Sequence, residues 1–166
     1  MQPAESARNV PPEVSVRPAR AAEAGLLVEL QLRMARETEG LGLDRPTVER
    51  GVRAVFADPA LGEYWVAETA GQLLGALLIT REWSDWRAAT VLWIQSVYVL
   101  PEARGQGIYR RLYEHQRRRV ELAPDLCGLR LYVDKRNRSA QQVYLRLGMS
   151  REHYELFEWM KATTGA

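Results

Sequence analysis

The chain holds a single cysteine, carries a formal net charge of only +2 over 166 residues, and contains no long apolar run. A lone Cys127 forms no internal disulfide, which fits a reducing compartment rather than a disulfide-stapled secreted scaffold. A net charge this small does not by itself suggest a nucleic-acid partner. No stretch approaches the roughly 20 consecutive apolar residues that a membrane-spanning helix needs. The first residues include Glu5, Arg8 and Asn9 and lack the hydrophobic core of a secretory signal. The sequence has no internal repeat and no low-complexity segment. These absences lead to the expectation of a cytoplasmic protein with no membrane and no nucleic-acid partner.

What is present is ordinary for a folded domain: 46% hydrophobic and 27% charged residues, in a length that suits one domain with a real core. Residues 1–13 are polar and proline-bearing and read as a flexible tail, ahead of a single domain over residues 14–166. Val14 to Arg17 alternates like a short strand and is stopped by Pro18. Leu26, Leu27, Leu30 and Met34 share one helical face, and Gly40 and Gly42 end that helix. Asp44 is a candidate N-cap for a second helix, with Val48, Val52, Val55 and Phe56 facing inward until Asp58-Pro59 breaks it.

Strand signals follow. Tyr64 to Thr69 and Leu73 to Thr80 flank Ala70-Gly71 as a hairpin. Arg81 to Arg87 reads as a loop bearing Trp83 and Trp86, and a long strand runs from Thr90 to Leu100. A helix then places Ile108, Tyr109, Leu112, Tyr113 and Val120 on one face and Arg110, Arg111, Arg117 and Arg118 on a solvated one. Pro124 ends it. Cys127 sits in the next apolar strand, starting at Leu126, where a buried, inert thiol is expected. A short helix from Asn137 to Leu147 is closed by Gly148, and His153 to Met160 supplies a last strand with Tyr154, Leu156 and Phe157 available for burial. The order is that of a mixed α/β fold.

The stretch Val97-Tyr98-Val99-Leu100-Pro101-Glu102-Ala103-Arg104-Gly105-Gln106-Gly107-Ile108 joins a β-branched strand to a helix through two glycines. A glycine loop that opens onto a helix N-terminus presents free backbone N–H groups and the positive end of the helix dipole to an anion. Gly105 and Gly107 let the backbone approach a phosphate without a Cβ in the way. No Gly-Lys-Ser/Thr follows, so a P-loop nucleotide site is disfavoured, and the loop lies in mid-chain rather than after the first strand, as a Rossmann fold would have it.

Together, Arg104-Gly105-Gln106-Gly107-Ile108 and Asn137-Arg138-Ser139-Ala140-Gln141-Gln142-Val143-Tyr144-Leu145-Arg146-Leu147-Gly148-Met149 resemble the coenzyme A-binding core of the GNAT superfamily of N-acetyltransferases. That signature is Gln/Arg-x-x-Gly-x-Gly/Ala followed by Asn-x-x-Ala-x-x-x-Tyr-x-x-x-Gly-Phe. Glu82-Trp83-Ser84-Asp85-Trp86 followed by Trp93-Ile94-Gln95-Ser96-Val97-Tyr98 looks like a bacterial branch of it. The resemblance implies a mixed, mostly antiparallel central sheet, splayed at the cofactor site and flanked by helices.

It also implies acetyl-CoA as co-substrate, with the pantetheine arm along Val97, Tyr98 and Val99 and the diphosphate on N–H groups from Arg104 through Gly105, Gln106, Gly107, Ile108, Tyr109 and Arg110. Several charge-assisted hydrogen bonds anchor such a ligand without a metal. Tyr109 stands where the family has Gly or Ala, so its ring must turn from the phosphates toward Tyr113. Asn137 suits a helix cap as well as a cofactor contact. Tyr144 is implied as the general acid for the departing thiolate. Some relatives carry a glutamate base where this chain has Gln95, others where it has Tyr132; both side chains suit water positioning, with Glu37, Glu39, Glu82 or Asp85 at the outer end of a proton wire. Glu37 and Glu39, with the aromatic faces of Trp83 and Trp86, suit a cationic small-molecule or peptide amine. The tryptophans suit packing or a homodimer contact equally well. The absence of both glutamates keeps a CoA-binding sensor without catalysis as the alternative.

Overall fold

The computed structural model describes residues 13–151 and 155–161. The elements are β1 (Ser15–Pro18), α1 (Ala24–Met34), α2 (Arg45–Ala57), β2 (Glu63–Thr69), β3 (Gln72–Ser84), β4 (Ala89–Val99), α3 (Ile108–Leu122), β5 (Leu126–Leu131) and α4 (Arg138–Arg146). They fall into two compact units that divide between Tyr132 and Val133.

The first unit is built on a five-stranded sheet in the order β1-β2-β3-β4-β5. The first three pairings are antiparallel and β4–β5 is parallel, giving the mixed, mostly antiparallel sheet expected. Ala70 and Gly71, both at positive φ, make the tight β2–β3 turn. Parallel neighbours need a crossover, and α3 supplies it between β4 and β5. Tyr64, Val66, Ala76 and Tyr98 pack with Leu27, Val28 and Leu30 of α1 and Val52 of α2. Successive strand residues alternate faces. Trp65, beside Tyr64, stacks accordingly on His115 of α3 at 4.6 Å between centroids. Helices α1 and α2 therefore cover one face, and α3 covers the other with a stripe of Ile108, Leu112, Tyr113 and Gln116.

Helix α2 starts as its sequence dictates: the Asp44 carboxylate accepts the Thr47 N–H at 2.9 Å. Helix α1 closes differently. It widens into a π-turn over Ala35–Glu39 before Gly40 ends it in the left-handed region at φ +68°.

Four expectations are corrected. Leu26 is 55% exposed, because Ala24, Leu27 and Val28 set the buried stripe of α1 and Leu26 lies about 100° from Leu27 around the helix. Arg81 to Ser84 is strand, not loop: its alternation matches the start of β4, with Arg81↔Leu92 through Ser84↔Ala89 in register. Cys127 is exposed, because β5 has a bulge there: Thr90 pairs with Leu126 and Val91 with Gly128, leaving Cys127 as the extra residue. Residues 155–160 carry no strand, and Leu156 and Phe157 are exposed. Alternation gives a strand two faces but not a partner, and none among the described residues pairs with this segment. Residues 153 and 154 of that expected strand, and the tail up to residue 12, lie outside the described residues.

One ion-pair cluster ties the first strand down. Arg17 of β1 reaches Glu23 at 2.6 Å and Glu68 of β2 at 2.5 Å. The hydrogen bond from Arg17 holds the Glu23 carboxyl down to about 2. A depressed carboxyl contributes stability that is complete above its unfolded value near 4.5 and is lost as pH falls toward 2. Acid titration followed by circular dichroism will show a loss of stability between pH 4.5 and 2 that Glu23→Gln flattens. The neighbouring leucines of α1 separate burial from hydrophobicity. Leu27→Ala will cost about 2–5 kcal/mol in urea denaturation, and Leu26→Ala within about 0.5 kcal/mol of zero.

Candidate functional site

The site begins where β4 leaves β5. Strand β3 follows β4 as far as Gly75↔Val99, whereas β5 pairs only from Thr90 to Ile94. The β3–β4 register runs Leu78↔Ser96 and then Ile79↔Ile94, so Gln95 is the extra residue of a bulge. A bulge bends its strand and increases the local twist. The bend falls one residue beyond the last β4–β5 pair and opens the sheet along Gln95–Val99. On the β5 side, this edge has no strand partner among the described residues.

The glycine loop lies at the end of that edge. Gly105 and Gly107 both take φ +74°, a left-handed conformation that glycine adopts without strain. The N–H groups of Gly105, Gln106, Gly107, Ile108 and Arg110 have no backbone acceptor among the described residues, and the first turn of α3 closes with Arg111 N–H to Gly107 C=O at 3.0 Å. These donors surround the N-terminus of a 15-residue helix, an arrangement suited to a phosphate. The Tyr109 ring turns toward Tyr113, 6.3 Å between centroids, and leaves the loop's outer side open.

Glu37, in the π-turn after α1, is joined to this loop. Its carboxylate accepts from both terminal guanidinium nitrogens of Arg104, at 2.6 and 2.9 Å, and from the Tyr98 hydroxyl at 2.8 Å. Arg104 also donates its Nε–H to the Val99 carbonyl at 3.0 Å and lies over the Tyr98 ring. The fork-on-carboxylate geometry is among the stronger ionic contacts. It holds the Glu37 carboxyl below its ordinary value, Arg104 first and Tyr98 second, while burial and then Glu37 push the Tyr98 hydroxyl up. Glu37, expected to meet a cationic amine, is thus occupied by the chain's own arginine. Glu39 is exposed and, among the described residues, accepts only the Thr38 hydroxyl.

Gln95 and Tyr132 flank the mouth of the opening. The Gln95 amide donates to Thr80 Oγ1 at 2.9 Å, and the Tyr132 ring stacks on Trp93 at 4.5 Å. Behind them, Glu82 accepts the Trp93 indole N–H and pairs with Arg130 at 2.7 Å. Sequence reasoning gave no role to Trp93 or Arg130; the alternation of Arg130, in β5, with Tyr132, just past its end, was the available signal. Trp83 and Trp86 lie elsewhere. Trp83 pairs with Thr90 and is 66% exposed, Trp86 is 90% exposed, and the run along β4 from Thr90 to Tyr98 is about 25 Å. The structure does not bring them to Glu37.

In the second unit, Asn137 caps α4, its Oδ1 accepting the Ala140 N–H at 3.0 Å. Tyr144 is half-buried on α4, and burial raises its hydroxyl above the usual phenol value.

Glu37→Gln leaves the π-turn without its charge on Arg104. Amide exchange at Arg104 and Arg111, whose N–H groups are bonded to the Pro101 and Gly107 carbonyls, will quicken about fivefold, the loss of roughly 1 kcal/mol, while global stability moves by less than about 1 kcal/mol.

A family model described as "Acetyltransferase (GNAT) family" matches residues 28–149. A solved structure described as a possible acetyltransferase from Clostridium difficile 630 is 33% identical, covering 90% of this chain and 99% of its own, with a TM-score of 0.85. Ribosomal-protein-alanine N-acetyltransferase from Brucella melitensis biovar Abortus 2308 shares the fold at 15% identity, covering 89% of this chain and 100% of its own, TM-score 0.71. Aminoglycoside N-acetyltransferase AAC(6')-Iy, solved with CoA, does so at 13% identity, covering 93% and 99%, TM-score 0.74. No curated protein sequence matches. The family match spans most of the chain, including the glycine loop and the Asn137–Tyr144 helix, and the chain belongs to the acetyltransferase (GNAT) family.

Proposed function

We propose that the protein is an acetyl-CoA-dependent N-acetyltransferase that moves an acetyl group to a primary amine of a small molecule or peptide by direct attack in a ternary complex. The observation that carries this reading is the open edge of β4 leading into a glycine loop whose N–H groups lack backbone acceptors. The donor set fits a diphosphate: uncharged backbone donors at a helix N-terminus, two glycines without side-chain obstruction, and Arg104 nearby. The CoA-bound aminoglycoside acetyltransferase of the same fold supports acetyl-CoA as the ligand.

Acetyl-CoA supplies the activated acyl group. Val97–Val99 offer strand-edge backbone to the pantetheine arm, and residues Arg104 to Arg110 hold the diphosphate. As the amine nitrogen bonds to the carbonyl carbon, the carbon–sulfur bond breaks and the sulfur needs a proton. Tyr144 supplies it from its hydroxyl, which burial keeps protonated at neutral pH. At reference values the transfer from phenol to thiolate is uphill by about 2 kcal/mol, so it must accompany loss of a proton from the amine. A lysine-like amine costs roughly 4.6 kcal/mol to deprotonate at pH 7 and an α-amino group only about 1.4 kcal/mol. The role of the Gln95 amide and the Tyr132 phenol is to order water at the mouth of the opening. Glu39 adds negative charge for the amine. Trp83 and Trp86, remote along β4, fit a contact with a second copy better than the acceptor site.

Acetyl-CoA at 100 times its dissociation constant will raise stability by about 2.7 kcal/mol in a thermal melt. In a thiol-release assay over an amine panel, Tyr144→Phe will lower kcat about 100-fold with KM for acetyl-CoA nearly unchanged. Turnover equal to that of the native chain removes the general-acid assignment. Stabilisation by acetyl-CoA without turnover on any amine replaces the enzyme reading with that of a CoA-binding sensor.

A further inference from the structure

Strand β3 outruns its neighbour β2. Their pairing ends at Glu63↔Ile79, while the pairing of β3 with β4 continues to Ser84↔Ala89, so residues 80–84 form a free edge of the sheet. Two hydrogen bonds fix which way the backbone groups of this edge point. In an antiparallel ladder the N–H and C=O of one residue point to the same side, and successive residues alternate. Ser84 turns its carbonyl inward to the Arg87 N–H at 3.2 Å. Thr90, opposite Trp83, donates its N–H away from β3, to the Asp125 carbonyl at 2.8 Å. Trp83 therefore points its own N–H and C=O outward, and so does Arg81. Neither has a backbone partner on that side among the described residues.

An unpaired edge is a template for another strand, and a twofold axis lays such an edge antiparallel on its own copy. With the axis at Trp83, the two Trp83 residues exchange N–H and C=O, and their rings meet on one face of the joined sheet. Arg81 then lies opposite Asp85 of the second copy, and Glu82 opposite its Ser84. An axis at Glu82 would instead set two glutamates face to face, with their backbone groups turned inward. The charges suit the first register. Asp85 forms no ion pair among the described residues, and its carboxylate accepts the Trp86 N–H at 2.9 Å. Glu63, the acid nearest Arg81 at 3.2 Å, is already paired with Arg119 at 2.7 Å. The run Arg81–Arg87 carries two arginines and two carboxylates, so a copy meets it without net repulsion. Trp83 and Trp86 are both largely exposed. Between two copies they supply roughly 600 Å² of apolar surface, about half of what a small specific interface buries.

We propose that the protein self-associates as a twofold dimer through antiparallel pairing of these β3 edges, with Trp83 on the axis. Sedimentation of the full chain over a range of concentrations will show a mass that rises from one protomer to two. Trp83→Lys, which sets two cations on the axis, will hold the chain at one protomer, and an unchanged far-UV circular dichroism spectrum will show that it folds. Charge exchange tests the register. Arg81→Asp sets carboxylate against carboxylate, Asp85→Arg sets arginine against arginine, and each alone will weaken association about tenfold or more. In an equimolar mixture of these two variants every 81–85 contact again joins opposite charges, and association will return to within about threefold of the native value. A native chain that stays at one protomer up to about 100 μM overturns the proposal and leaves the edge to a strand of another protein. A dimer that persists in Trp83→Lys uses a different surface and overturns it equally. A mixture that associates no better than its components overturns the pairing centred on Trp83. None of these outcomes bears on the acetyl donor or the acceptor amine.

Discussion

The first unit depends on one constraint: β4 must keep its pairing with β3 after it has given up its pairing with β5. A sheet that lost both partners would fray, and one that kept both would have no opening. The chain meets the constraint locally. The Gln95 bulge bends the strand just past Ile94. Gly75 lets β3 stay close beside the freed segment, since a Cβ there would come within 2.8 Å of the Tyr98 carbonyl oxygen. Arg104 caps the far end by donating to the Val99 carbonyl. The opening is thereby framed by rigid structure on the β3 side and by a side-chain clamp at the loop.

Much of this fold was legible because much of it is written in short-range terms. Asp44 and Asn137 cap their helices within three residues of themselves, and Ala70-Gly71 closes a hairpin whose strands flank it directly. The glycine loop and the Asn137–Tyr144 helix were likewise visible as local patterns. Bulges were not. Gln95 and Cys127 are ordinary residues in ordinary strands, and only the pairing of two strands shows that one of them has a residue too many. The same holds for Arg104 and Glu37, which meet across 67 positions of sequence. Leu26 and Leu27 show a finer limit, since adjacent leucines give a helix two candidate faces and tertiary packing selects one.

The polar groups around the opening are tied to one another more than composition alone would suggest. Thr80 holds Gln95, Trp93 carries Tyr132 on its face, and Glu82 is shared between the Trp93 indole and Arg130. Side chains fixed in this way can order water at defined positions.

The π-turn that closes α1 has a geometric consequence of its own. An α-helix advances about 100° per residue, so one additional residue in a turn rotates the phase of everything after it by about that angle. Thr38 repairs part of the disturbed ladder by donating its hydroxyl to the Met34 carbonyl at 2.9 Å. In a regular helix, Glu37 would keep the phase set by Leu27 and Leu30. The widened turn resets that phase, and α1 can bury one stripe against the sheet while its last turn presents a carboxylate in a different direction.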